Sequence, residues 1–113
     1  MSGISTHVLD TSRGRPATGV PVLLEYWQAG EGWKILGRST TDEDGRCRDL
    51  MREHTVAAGL HRLTFDAGAY YARLEAETFF PEIAVVFEVR DAGNDYHVPL
   101  LLSPYGYSTY RGT

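Results

Sequence analysis

An all-β sandwich is the fold this sequence predicts, and three observations predict it. Short stretches of alternating apolar and polar residues recur along most of the chain, the pattern of strands with one buried face. Clusters of Gly, Pro, Asn and Asp punctuate them, as turn chemistry requires. A single stretch has helix-favouring composition. About seven strands at this spacing with one helix read as two packed sheets.

Taken in order, Ile4 to Asp10 is a first strand, with Ser5, His7 and Leu9 on one face and Thr6 and Val8 on the other. Ser12 to Pro16 is a loop. Val20 to Gln28 alternates Val22, Leu24 and Tyr26 against Leu23, Glu25 and Trp27. Ala29 to Gly32 connects it as a hairpin to Trp33 through Thr40, and Trp27 and Trp33 are placed to pack across that hairpin. Asp42-Glu43-Asp44-Gly45 is a turn that delivers Arg46. Gly59 to Asp66 puts His61, Leu63 and Phe65 on one side. Ala67 to Ala76 is the helix, two turns long, because Ala, Leu, Arg and Glu favour it and Asp66 suits an N-cap. Ile83 to Val89 returns as a strand with Ile83, Val85, Phe87 and Val89 facing the core. His97 to Leu102 follows, then a turn at Ser103 to Gly106 and a last strand. Pro99 lies inside this apolar run, and its missing N–H predicts an edge position or a bulge. Such an edge needs cover, which a second subunit can supply.

At 113 residues the chain reads as one domain, 1–113, near the commonest domain size. Hydrophobic content of 42% and charged content of 23% fit a soluble globular protein. A net charge of −4 without a basic cluster argues against nucleic-acid binding. Cys47 is the sole cysteine, so packing must hold the fold, and a small buried hydrophobe is its expected role. The start, MSGISTHVLD, has neither the basic nor the apolar region of a secretion signal. With no run of membrane-spanning length, the expectation is a cytoplasmic protein with no membrane partner.

The histidines His7, His54, His61 and His97 show no zinc-ligand spacing, so neither a metal nor a cofactor is expected. No nucleophile elbow or phosphate-binding glycine loop is present. Catalysis must then use histidine as acid or base and arginine for charge. His54 and His61 read as structural or surface residues. His7, His97, Arg46 and Arg111 could assemble a site for a planar, nitrogen-rich anion, because guanidinium forks pair with such groups bidentately. The end of the chain, Tyr105 to Thr113, carries three tyrosines, an arginine and a terminal hydroxyl directly after the apolar run. Chain ends are usually frayed and expendable; this composition marks a binding surface instead.

Three blocks, in order, resemble one family. They are Ile4 to Asp10 with Gly14-Arg15-Pro16-Ala17, then Thr40 to Arg46, then Tyr96 to Thr113, the last being the most specific. The chain is similar to the 5-hydroxyisourate hydrolases, transthyretin-related enzymes of purine degradation. The resemblance implies a sandwich of two four-stranded antiparallel sheets with one short helix. It implies a homotetramer, a dimer of dimers, whose central channel holds the sites. It also implies a catalytic set of His7, Arg46, His97 and Thr113, with Arg46, Tyr110, Arg111 and Gly112 binding substrate. In that reading Gly112 permits a tight final bend and Thr113 offers its hydroxyl where the family usually ends in serine. Two rivals are a transthyretin-like hormone carrier and a generic sandwich module. Neither has a use for the Tyr-Arg-Gly terminus.

Overall fold

The computed structural model describes residues 3–51 and 55–113. Among the described residues, nine strands and one helix follow in the order β1 (Ile4–Asp10), β2 (Arg15–Pro16), β3 (Pro21–Gln28), β4 (Gly32–Thr40), β5 (Arg46–Cys47), β6 (Gly59–Asp66), α1 (Ala67–Arg73), β7 (Glu82–Val89), β8 (Tyr96–Ser103) and β9 (Gly106–Thr109). They form two sheets. The larger runs β2-β1-β8-β9, with β5 also paired to β1; the smaller runs β4-β3-β6-β7. The expected sandwich is present, and the predicted strand faces hold. His54 lies outside the described residues.

Alternation decides what fills the space between the sheets. On β1, Ile4, Thr6, Val8 and Asp10 are buried while Ser5, His7 and Leu9 are half-buried on the outer face. Val98, Leu100 and Leu102 of β8 face the same core. The smaller sheet answers with Leu24, Leu63, Phe65 and Ile83. Removing such side chains from water is the main favourable contribution, about 1.5–3 kcal/mol for each large one. Cys47 belongs to this core as expected. Trp27 and Trp33 sit opposite each other on β3 and β4, ring centroids 5.4 Å apart.

Two details depart from expectation. β1 and β8 pair parallel, not antiparallel, because the chain leaves for the other sheet and re-enters beside its first strand, the long crossover that parallel neighbours require. Nor is β8 an edge: Pro99 lies in an interior strand, between β1 and β9. The missing donor is absorbed where the β8–β9 ladder is interrupted. β9 ends at Thr109, whose hydroxyl donates to the Pro99 carbonyl at 2.7 Å. The tail then rejoins β8 through a single bridge, His97 to Gly112.

The helix begins as predicted, the Asp66 carboxylate accepting the Ala69 N–H at 2.9 Å. It stops at Arg73, three residues before the predicted Ala76. Glu75 takes a φ of 55°, which no right-handed helix accommodates. Arg73 then donates to the Thr18 and Gly19 carbonyls at 3.1 and 2.6 Å.

Candidate active site

The outer face of the larger sheet presents two rows of residues across the strands. In one, His7 of β1 is flanked by Arg46 of β5 and Pro99 of β8. In the other, Ser5 lies beside His97, which bridges to Gly112. Side chains two apart on a strand share a face, so His7, Arg46 and His97 converge. Three distant segments thus supply one patch.

Arg46 is positioned by its turn. The Asp42 carboxylate accepts the N–H groups of Asp44 and Arg46 at 2.9 and 3.0 Å, and the bond from Arg46 is the largest influence holding its pKa below the usual carboxylate value. Gly45 has φ 78°, and a Cβ there would collide with the Val8 carbonyl. The Asp-Gly sequence is therefore required for β5 to reach β1.

His97 is the constrained member. Its Nδ1 lies 2.9 Å from Ser5 Oγ, and its carbonyl accepts the Gly112 N–H at 2.8 Å. Burial pushes its pKa down, with further lowering from the Arg46 and His7 charges. A neutral imidazole at neutral pH follows. It can donate or accept one proton but not repel the guanidinium beside it.

The tail divides between two faces. The pairings Leu100 with Thr109 and His97 with Gly112 share one register, so Tyr110 falls beside Pro99 on the outer face. Arg111 faces the other way. Its guanidinium carbon lies 4.7 Å from the centroid of the Tyr96 ring, a cation–π contact over the sheet edge. His97 and Arg111 nevertheless line a common cleft of about 300 Å³ between β7 and the tail, together with Phe87, Glu88, Tyr96 and Tyr110. Thr113 is exposed at the end of this segment. Gly112 differs from the sequence expectation: its φ is outside the left-handed region, and its requirement is space. A Cβ there would lie 2.6 Å from His97 Cδ2.

His61 is remote from this face, buried between Tyr26 and Phe87. Among the described residues no group of three or more His, Cys, Asp and Glu could hold a metal ion. None of their helices is long and apolar enough to cross a membrane. The residue that sequence reasoning passed over is Ser5. Its shared face with His7 was readable, but its partner is 92 positions away.

Comparison with known proteins gives a consistent result. The HIUase/Transthyretin family model matches residues 4–112. A 5-hydroxyisourate hydrolase of Salmonella typhimurium is 47% identical over 110 residues, 97% of this chain and 80% of that protein. The structure of Klebsiella pneumoniae 5-hydroxyisourate hydrolase superposes with a TM-score of 0.85 at 36% identity, covering 100% of this chain and 94% of that one. Sea bream transthyretin, solved with thyroxine, gives a TM-score of 0.90 at 30% identity, covering 97% and 94%.

Proposed function

The chain belongs to the HIUase/Transthyretin family, and from that premise we propose that it hydrolyses 5-hydroxyisourate in purine degradation. The reaction is cleavage of a cyclic amide: water adds to a ring carbonyl, the carbon–nitrogen bond breaks, and the ring nitrogen takes a proton. The product is 2-oxo-4-hydroxy-4-carboxy-5-ureidoimidazoline. The observation that carries this reading is the adjacency of His7, Arg46 and His97 on one outer face. A transthyretin-type carrier site has no need of two imidazoles and a guanidinium on one face.

In this mechanism His7 and His97 orient and deprotonate the water, worth about 10²–10⁴-fold for a well-placed acid–base group. Arg46 holds the urate-like anion and stabilises charge developing on the carbonyl oxygen, a contribution of about 10²–10³-fold per donor. Tyr110 walls the pocket, Gly112 keeps the tail against His97, and Thr113 offers its hydroxyl. Arg111 binds substrate after leaving Tyr96, or from the cleft edge where it already lies. The working particle is a homotetramer, a dimer of dimers, with the larger sheet's outer face lining its channel.

The test uses 5-hydroxyisourate generated in place by urate oxidase, its decay followed by ultraviolet absorbance. The protein accelerates the decay by orders of magnitude, and His7→Asn, His97→Asn and Arg46→Ala each remove most of the effect. Unchanged decay with the intact protein overturns the assignment.

A further inference from the structure

The two imidazoles of the patch are not equivalent, and Ser5 makes the difference. β1 and β8 run side by side in the same direction with Ser5 opposite His97. Adjacent residues on one face of a sheet meet directly, and the Ser5 hydroxyl oxygen stands 2.9 Å from His97 Nδ1. That distance is a hydrogen bond. Nε2 is then the ring nitrogen left for a ligand.

Two proton arrangements fit this pair. Either Ser5 donates its O–H to Nδ1, which places the imidazole proton on Nε2, or Nδ1–H donates to Ser5 and the hydroxyl hydrogen must find another acceptor. A neutral imidazole carries one N–H, and the opposite nitrogen is an acceptor. Among the described residues, the His97 ring is the hydrogen-bond partner of Ser5 Oγ. The first arrangement pairs the Ser5 O–H with Nδ1 and leaves Nε2–H as the donor open to a ligand in the cleft that His97 lines. The second leaves the Ser5 hydroxyl hydrogen without an acceptor among the described residues and turns a lone pair, not a donor, toward the ligand.

We propose that Ser5 is a positioning residue that holds His97 in the Nε2–H tautomer, so that His97 donates to the substrate's carbonyl oxygen and His7 is the base. This rests on the hydrolase reading and deepens it. The balance is complete. The water oxygen bonds to the ring carbonyl carbon and its proton passes to His7. The carbonyl oxygen, gaining charge, is held by His97 Nε2–H and the Arg46 guanidinium. When the carbon–nitrogen bond breaks, the His7 imidazolium returns its proton to the ring nitrogen.

The groups facing His97 fit a neutral donor. Arg46 from β5 and His7 from β1 both lower its affinity for a second proton, and Arg111 from the tail lines the same cleft. A doubly protonated ring beside the Arg46 guanidinium would be repelled; among the described residues, the Glu88 carboxylate of β7 is the one opposing charge that lines the cleft. Such a ring could not keep Nδ1 as the acceptor of the Ser5 hydroxyl. Gly112 adds the last constraint. A Cβ on it would lie 2.6 Å from Cδ2, so the ring edge opposite Nδ1 packs against the tail.

The experiment reads the tautomer directly. Long-range proton–nitrogen NMR of the intact protein without substrate assigns the proton to Nδ1 or Nε2 of His97, and the same spectrum is recorded for Ser5→Ala and Ser5→Thr. The expected wild-type spectrum shows protonated Nε2 and unprotonated Nδ1. Ser5→Ala gives a tautomer mixture and a kcat lower by about 10-fold or more, within the range of one acid–base contribution, with KM little changed. Ser5→Thr retains the hydroxyl and restores both. A wild-type ring protonated at Nδ1 overturns the proposal, and this outcome needs no variant to fold. So does a Ser5→Ala protein with wild-type tautomer and kcat. Failure of the intact protein to turn over 5-hydroxyisourate instead strikes the functional reading, while the tautomer stands on the spectrum alone.

Discussion

The backbone of Gly112 lies against the imidazole of His97, so close that a Cβ there would come within 2.6 Å of Cδ2. The same glycine donates its N–H to the His97 carbonyl at 2.8 Å. Ring and tail therefore fix one another. The tail is free to do this because Pro99 cannot donate to β9, which releases Tyr110 and Arg111 from the ladder before Gly112 rejoins it.

Gly112→Ala tests that packing. The added methyl must move the ring or the tail, and a displacement of about 1 Å at a catalytic group can cost about 10²-fold. We expect kcat to fall by that order while the thermal midpoint stays within a few degrees, since the sandwich core is untouched. Steady-state kinetics and a melting curve on the same sample decide it. Native turnover in this variant would remove the steric argument.

Arg46 sets both charge and pH range. His97 must be neutral to work, and its pKa is pushed below the ordinary 6.5, first by burial and then by Arg46 and His7. The share of the acid limb of kcat/KM that His97 contributes accordingly lies below that value. Arg46→Ala removes a cation beside the ring, so the limb moves up in pH, and loss of an oxyanion donor lowers kcat by about 10²–10³-fold. Arg46→Lys keeps the charge and the limb but loses the bidentate fork. A pH–rate profile of the three proteins separates these effects; an unmoved limb in the alanine variant contradicts the coupling.

Tyr70→Phe isolates a structural network on the opposite face of β1. The Asp10 carboxylate is fully buried and accepts the Tyr70 O–H at 2.7 Å, the Ser12 hydroxyl at 2.6 Å and the Ser12 and Arg13 N–H groups at 3.1 and 3.2 Å. Burial, with the bond and charge of Asp10, pushes the phenol up to about 12. Removing this donor leaves a buried carboxylate short of one partner and costs about 1–3 kcal/mol. Urea denaturation should show a lower midpoint with unchanged slope, and turnover below the midpoint should stay near wild type. A large kinetic defect would mean the network reaches the site.

Much of this was readable from residue order, for a physical reason. Strand faces follow from a period of two, so Ser5, His7 and Leu9 could be assigned to one side before any coordinates. The Asp66 cap and the Asp42–Gly45 turn are local hydrogen-bond chemistry, which the residues within three or four positions determine. What alternation cannot carry is the partner. That β1 runs parallel to β8, that Ser5 therefore meets His97, and that Pro99 is interior are facts about segments some 90 positions apart. The role of Gly112 was misread likewise: a glycine near a chain end suggests a bend, and only the neighbouring ring reveals that space was needed.

His61→Phe probes the histidine that, among the described residues, is sealed in the core. Its Nδ1 lies 3.1 Å from the Gly59 carbonyl, so the neutral ring donates there, and Nε2 is buried with no hydrogen-bond partner among the described residues. The rings of Tyr26 and Phe87 stand 5.1 and 5.7 Å away. Burial pushes the pKa below 6.5, outweighing the Gly59 bond. With the folded pKa depressed, the unfolded chain binds more protons as pH falls, so the stability contribution is full above 6.5 and is lost on descending through the folded value. The slope cannot exceed about 1.4 kcal/mol per pH unit for one proton. Phenylalanine keeps the stacking and cannot titrate. The variant's stability should therefore fall less than wild type's between about pH 7.5 and pH 5, with a residual slope from His97 in both. Chemical denaturation across that range measures the difference, and parallel curves would show that His61 is not the proton acceptor that weakens the fold in acid.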